Sequence, residues 1–128
     1  MADLQPIVDF VLELDKLKGV TRKTQPLGLS RYENSAEHSW QIAMLGISLA
    51  HLAESPVDVD HVVRMLLVHD VGEIDAGDAI VYATEGVAER KLTERAGALR
   101  VLGLLPEPQR SALVALWEEF EAEVRSEE

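Results

Sequence analysis

His69, Asp70 and Glu73 stand together in "LLVHDVGEID" (66–75), directly after the apolar run Met65-Leu66-Leu67-Val68. On a helix, neighbours such as His69 and Asp70 point about 100° apart and can reach one point in space. Glu73 would lie one turn further on. An imidazole with a carboxylate is a usual mixed donor set for a divalent transition metal. Two ligands rarely suffice, so another element must contribute. His38, in "EHSW" (37–40), is the leading candidate. From these residues alone two readings stand: a metal site, or helix-end histidines held by ordinary hydrogen bonds.

The elements that must position these groups follow from periodicity. Leu4, Ile7, Val8, Val11, Leu14 and Leu17 recur at helical spacing, predicting a first helix from Asp3 to about Lys18, stopped by Gly19. Residues 19–34, with Pro26 and Gly28, read as a long loop. Asn34 caps a second helix, with Glu37 as its capping-box partner. Ile42, Leu45, Leu49 and Leu52 are its expected core stripe, ending near Pro56.

A third helix, capped by Asp58 or Asp60, carries Val62, Val63, Leu66 and Leu67 inward and should end near Ile74. Residues 75–86 are irregular. A fourth helix covers roughly Val87–Leu102, and a fifth runs from about Pro108 to Val124, burying Leu113, Leu116, Trp117 and Phe120. Trp40 is also assigned to the core. No strand, repeat or linker stands out, so the fold class is all-α: one domain of about five helices. The short connection at 54–57 makes the second and third helices antiparallel, which lets His38 face His69 and Asp70. His51 falls on the opposite face from His38, and His61 in an exposed first turn.

Composition narrows the function. The 128 residues are 47% hydrophobic and 27% charged, with a formal net charge of −11, which opposes a general grip on nucleic acid. No apolar run approaches the roughly 20 residues of a membrane span. "MADLQPIVDF" lacks the basic start and apolar stretch of a signal peptide, and cysteine is absent, so a cytoplasmic protein is expected. Charge is uneven, however. Lys16, Lys18, Arg22, Lys23 and Arg31 lie in a stretch without any acid, which could meet a small anion or be a solvated loop.

In order along the chain, "LKGVTR" (17–22), "ENSAEHSWQIAM" (33–44), "LLVHDVGEIDAGD" (66–78) and "LLPEPQRSALVALWEEFEA" (104–122) resemble the HD-domain metal-dependent phosphohydrolases. The likeness is to their 5′-deoxynucleotidase branch, which removes phosphate from deoxyribonucleoside 5′-monophosphates. The resemblance implies His38, His69 and Asp70 as ligands of one divalent metal: manganese, cobalt, iron, nickel or zinc. It implies Glu73 as the residue that positions or deprotonates the attacking water. Arg22 matches an arginine near the phosphate, otherwise a surface loop residue. Asp78 matches an aspartate facing the sugar, otherwise a helix cap. It further implies a homodimer acting on a small nucleotide.

Two departures bear on this. The branch has a tryptophan after the arginine, where this chain has Lys23. The family's fourth ligand is an aspartate on a later helix, and no aspartate follows Asp78 here. A missing C-terminal part, a substitute such as Glu118 or Glu121, or a lost site on a kept fold would each explain it. The alternatives to the main reading are hydrolysis of another phosphorylated metabolite, and a non-catalytic scaffold binding a partner through the acidic last helix.

Overall fold

The structure is a computed structural model that describes residues 4–77 and 86–126. Five longer helices carry the fold: α1 (Leu4–Leu14), α2 (Ser35–Leu49), α3 (Val59–Val68), α5 (Val87–Leu102) and α6 (Gln109–Ser126). A single turn, α4 (Glu73–Ala76), lies between α3 and α5. Among the described residues there is no strand, only an isolated antiparallel bridge between Thr21 and Asn34. No helix among them is long and apolar enough to cross a membrane. The class is all-α, as expected.

The core is built where α3, α5 and α6 converge. Met65 and Val68 of α3, Ala98, Val101 and Leu102 of α5, and Leu116 and Trp117 of α6 are buried together with Leu17 and Val71. Each fully buried aliphatic or aromatic side chain stabilises the fold by about 1.5–3 kcal/mol before entropic costs are counted. Trp117 sits in the core at 3% exposure.

Several boundaries differ from the sequence expectation. The first helix stops at Leu14, and a 3₁₀ segment, Asp15–Gly19, carries the chain on. Tightening the spiral there turns Leu17 into the core. The second helix likewise ends at Leu49 and runs into a 3₁₀ turn, Ala50–Leu52. Its cap is as expected: the Asn34 side chain accepts from the Glu37 N–H at 2.9 Å, and Glu37 Oε2 accepts from the Asn34 N–H at 3.0 Å. The cap of α3 is Asp58, which accepts from the His61 N–H at 3.2 Å.

The expected apolar stripe of α2 is not its buried face. Ser35, Ser39 and Ala43 are buried, whereas Leu45, Leu49 and Leu52 are exposed, as is Trp40 at 64%. The cause is close packing of α2 on α3. A Cβ added at Gly46 would lie 3.2 Å from Leu66 Cδ1 and 3.7 Å from Val62 Cγ1. Only small residues fit such an approach, so the large side chains are displaced to the flanks. On α3, Met65 and Val68 take the core positions and Leu67 is exposed.

The third helix ends at Val68, six residues before the expected Ile74. Beyond it the ladder switches to i−3 bonds, with the Val71 N–H donating to Val68 O and the Glu73 N–H to Asp70 O. This turn lies against α5 backbone to backbone. A Cβ at Gly72 would fall 2.2 Å from Glu94 O, and one at Gly97 2.8 Å from Gly72 O. The turn thus leaves the α3 axis to reach α5, and it takes His69, Asp70 and Glu73 with it.

Candidate metal centre

His38 enters from α2. The capping box sets where that helix starts, and the His38 N–H donates to Asn34 O at 3.1 Å, so His38 begins the regular ladder. His69 is the residue that closes α3, and Asp70 follows in the tight turn. The two imidazole centroids are 6.4 Å apart. One ligand atom from each of His38, His69 and Asp70 lies within 4.8 Å of the others. The three residues expected as ligands are thus brought together by antiparallel α2 and α3.

Their donor chemistry fits a divalent transition metal. The His69 Nδ1–H donates to Leu66 O at 2.5 Å, which leaves Nε2 as the outward-facing nitrogen. Such a bond at the far nitrogen is how metal-binding histidines are oriented. That Nε2 is 2.9 Å from Asp70 Oδ2. A lone pair on each atom at this separation repels the other, so a cation belongs between them: a proton or a metal ion.

The titration behaviour follows from these contacts. Burial disfavours the charged His69 ring, but the Asp70 carboxylate bonded to it, with Leu66 O and Glu73, outweighs burial and raises its pKa. Burial lowers the His38 pKa, and the Arg22 guanidinium adds to this, against the opposing pull of Asp70 and Glu33. The balance favours the neutral imidazole, the form in which histidine binds a metal.

Glu73 opens α4 and is 8% exposed, with Oε1 accepting from Ser35 Oγ–H at 2.5 Å. It shares with His69 and Asp70 one wall of a cleft of about 220 Å³. The facing walls come from α5, with Arg90, Lys91 and Glu94, and from α6, with Trp117, Phe120 and Glu121. The Phe120 ring packs on His69 with centroids 4.8 Å apart. Glu94 is pushed toward its neutral form by burial, then by the charges of Glu121 and Asp70, with Arg90 opposing.

The remaining expected residues fall in different places. Arg22 does not line this cleft. Its Nε donates to Glu33 Oε1 at 2.9 Å, and the same oxygen stands 3.6 Å from His38 Nδ1. Arg22 thus reaches the site through Glu33, which also accepts from Thr24 Oγ1–H at 2.8 Å. Lys23 Nζ lies 5.9 Å from the Tyr32 ring centroid. Asp78 lies outside the described residues. Glu121 is in the cleft but is not one of the three groups that converge within 4.8 Å. Glu118 instead pairs with Arg95 at 3.6 Å. His51 is exposed, and His61 bonds Glu119 on α6 at 2.8 Å.

Sequence reasoning missed Glu33, Ser35, Arg90, Lys91 and Glu94. The i,i+4 spacing of Arg90 and Glu94 was the one signal available in the sequence, and the structure brings the pair to 3.4 Å.

Comparison with known proteins gives a consistent set of likenesses. A family model described as "HD domain" matches residues 14–128. A Homo sapiens protein named 5′-deoxynucleotidase HDDC2 is 27% identical over 122 residues, 94% of this chain and 58% of its own. A 5′-deoxynucleotidase of Erwinia tasmaniensis is 31% identical over 121 residues, 88% of this chain and 60% of its own. A predicted metal-dependent phosphohydrolase from Magnetospirillum magnetotacticum, known as a crystal structure, superposes with a TM-score of 0.84 at 43% identity. That match covers 95% of this chain and 62% of the other. The chain thus spans about three-fifths of the length of these relatives.

Proposed function

This chain belongs to the HD-domain family, and from that membership and the site's geometry we propose that it is a metal-dependent phosphomonoesterase acting on deoxyribonucleoside 5′-monophosphates. The observation that carries the reading is the convergence of His38, His69 and Asp70 within 4.8 Å, with His69 and Asp70 lining one cleft together with Glu73. Relatives named 5′-deoxynucleotidase support the substrate class.

When bound, a divalent ion such as manganese, cobalt, iron, nickel or zinc supplies an acidified water and polarises a phosphoryl oxygen. His38, His69 and Asp70 would hold it. Glu73, on the wall beside Asp70, takes the proton of the attacking water as general base. Arg90 and Lys91 bring positive charge to the opposite wall, where a phosphate dianion needs it. Arg22 joins from the α2 side through Glu33 and adds charge near the phosphate. Asp78 is assigned to the sugar, rejecting a 2′-hydroxyl. The same reading makes the protein a cytoplasmic homodimer, and the apolar side chains of Trp40, Met44 and Ile47 that α2 leaves exposed support the dimer alone.

Lys23 favours a second reading, in which the site acts on another phosphorylated metabolite, because a lysine over Tyr32 presents a different surface from a tryptophan. Parallel assays of phosphate release from a deoxynucleoside 5′-monophosphate and its ribonucleotide twin, with manganese or cobalt, separate the two. A preference for the deoxy substrate by about tenfold or more, over 1.4 kcal/mol of discrimination, is expected. Equal rates would favour the second reading.

A further inference from the structure

Ser35 is the first residue of α2, and its side chain is entirely shielded from solvent, at 0% exposure. Capping of that helix is already done by Asn34, so the Ser35 hydroxyl is available for another partner. It donates to Glu73 Oε1 at 2.5 Å, across 38 residues of sequence. We infer that Ser35 is a positioning residue for Glu73, holding its carboxylate in the orientation from which it takes a proton in the cleft. The inference rests on the reading of Glu73 as the general base.

The physical case has three parts. Glu73 is 8% exposed, and a buried carboxylate is costly unless donors satisfy it. A donor on Oε1 restrains rotation about the Cγ–Cδ bond, so the carboxylate plane is set by α2 and not by Glu73 alone. His38 lies three residues beyond Ser35 on the same helix. The bond therefore ties the base on α4 to the helix that presents one of the three converging ligands, so base and ligand keep one spacing.

The test is a double-substitution cycle on the full chain: S35A, E73Q and the two together. Phosphate release with manganese is measured, and urea unfolding is followed without metal. If Ser35 acts through Glu73, S35A lowers kcat by roughly 10–100-fold with KM little changed. In the E73Q background the same change then costs little more in kcat, and urea unfolding reads the lost Ser35 hydrogen bond separately from catalysis. S35C, with a weak donor of similar shape, gives an intermediate kcat and replaces S35A if that variant does not fold.

A folded S35A with unchanged kcat, while E73Q has lost activity, overturns the positioning role alone. Equal losses in both backgrounds overturn it too, since they mark a merely structural serine. Full activity in E73Q would instead remove the base assignment, and the positioning role with it.

Discussion

Replacing Glu73 with glutamine is expected to slow phosphate release by about 10²–10⁴-fold, the usual contribution of a general base. The amide has nearly the same shape, and its oxygen can still accept from Ser35, so the fold should hold. What disappears is the capacity to take a proton. Glu73 is not one of the three groups that converge within 4.8 Å, so metal affinity should change far less than kcat. Steady-state kinetics beside a metal titration of the same sample checks both halves. A variant that loses its metal along with its activity would instead place Glu73 among the ligands.

The second large effect is expected from a residue with no side chain. Gly72 lies between Asp70 and Glu73, and a Cβ there would meet Glu94 O at 2.2 Å and Glu94 C at 3.0 Å. Both are backbone atoms of α5, so no side-chain rotation relieves the clash. Gly97 mirrors the constraint from α5, where a Cβ would lie 2.8 Å from Gly72 O. Gly72→Ala must therefore push the turn away from α5, at a cost of about 3 kcal/mol or more. That is a large share of the roughly 5–15 kcal/mol that holds a domain of this size folded.

The same shift carries Asp70 and Glu73 out of register with His38, so metal affinity and hydrolysis should fall with stability. Gly19→Ala is the matched control. A Cβ there meets nothing within 4 Å, and the change should stay within about 0.5 kcal/mol. Thermal unfolding of the two variants decides it, and equal melting temperatures would contradict the close packing of the turn on α5.

The fold and the site differ in how much of each could be read from the residues. The capping box at Asn34 and Glu37 is a local signal with a local cause, and it was legible. So was Trp117, whose apolar neighbours on α6 share its face. The convergence of His38 with His69 and Asp70 needed only an antiparallel pair of helices, which the short 54–57 connection implies.

Features that depend on how closely backbones approach were not legible. The end of α3 at Val68 comes from packing against α5 through Gly72 and Gly97, residues far apart in sequence. Periodicity sees an unbroken apolar run there. The burial of Ser35 and Ser39 in place of Leu45 and Leu49 has the same origin in the tight α2–α3 contact. Trp40 follows from it, since a helix that buries its small residues must turn its large ones outward. Arg90, Lys91 and Glu94 become a cleft wall only through the arrival of the α3–α4 turn, which nothing in their own helix announces.

The central claim is that His38, His69 and Asp70 hold a divalent metal on which phosphate hydrolysis depends. The most direct measurement is phosphate release from a deoxynucleoside 5′-monophosphate by the chelator-stripped chain, repeated as manganese or cobalt is added back in measured equivalents. The expected result is no release from the stripped protein, recovery that saturates near one ion per chain, and neither binding nor recovery in Asp70→Ala. Release that is equal with and without metal, or recovery unaffected by Asp70→Ala, would contradict it.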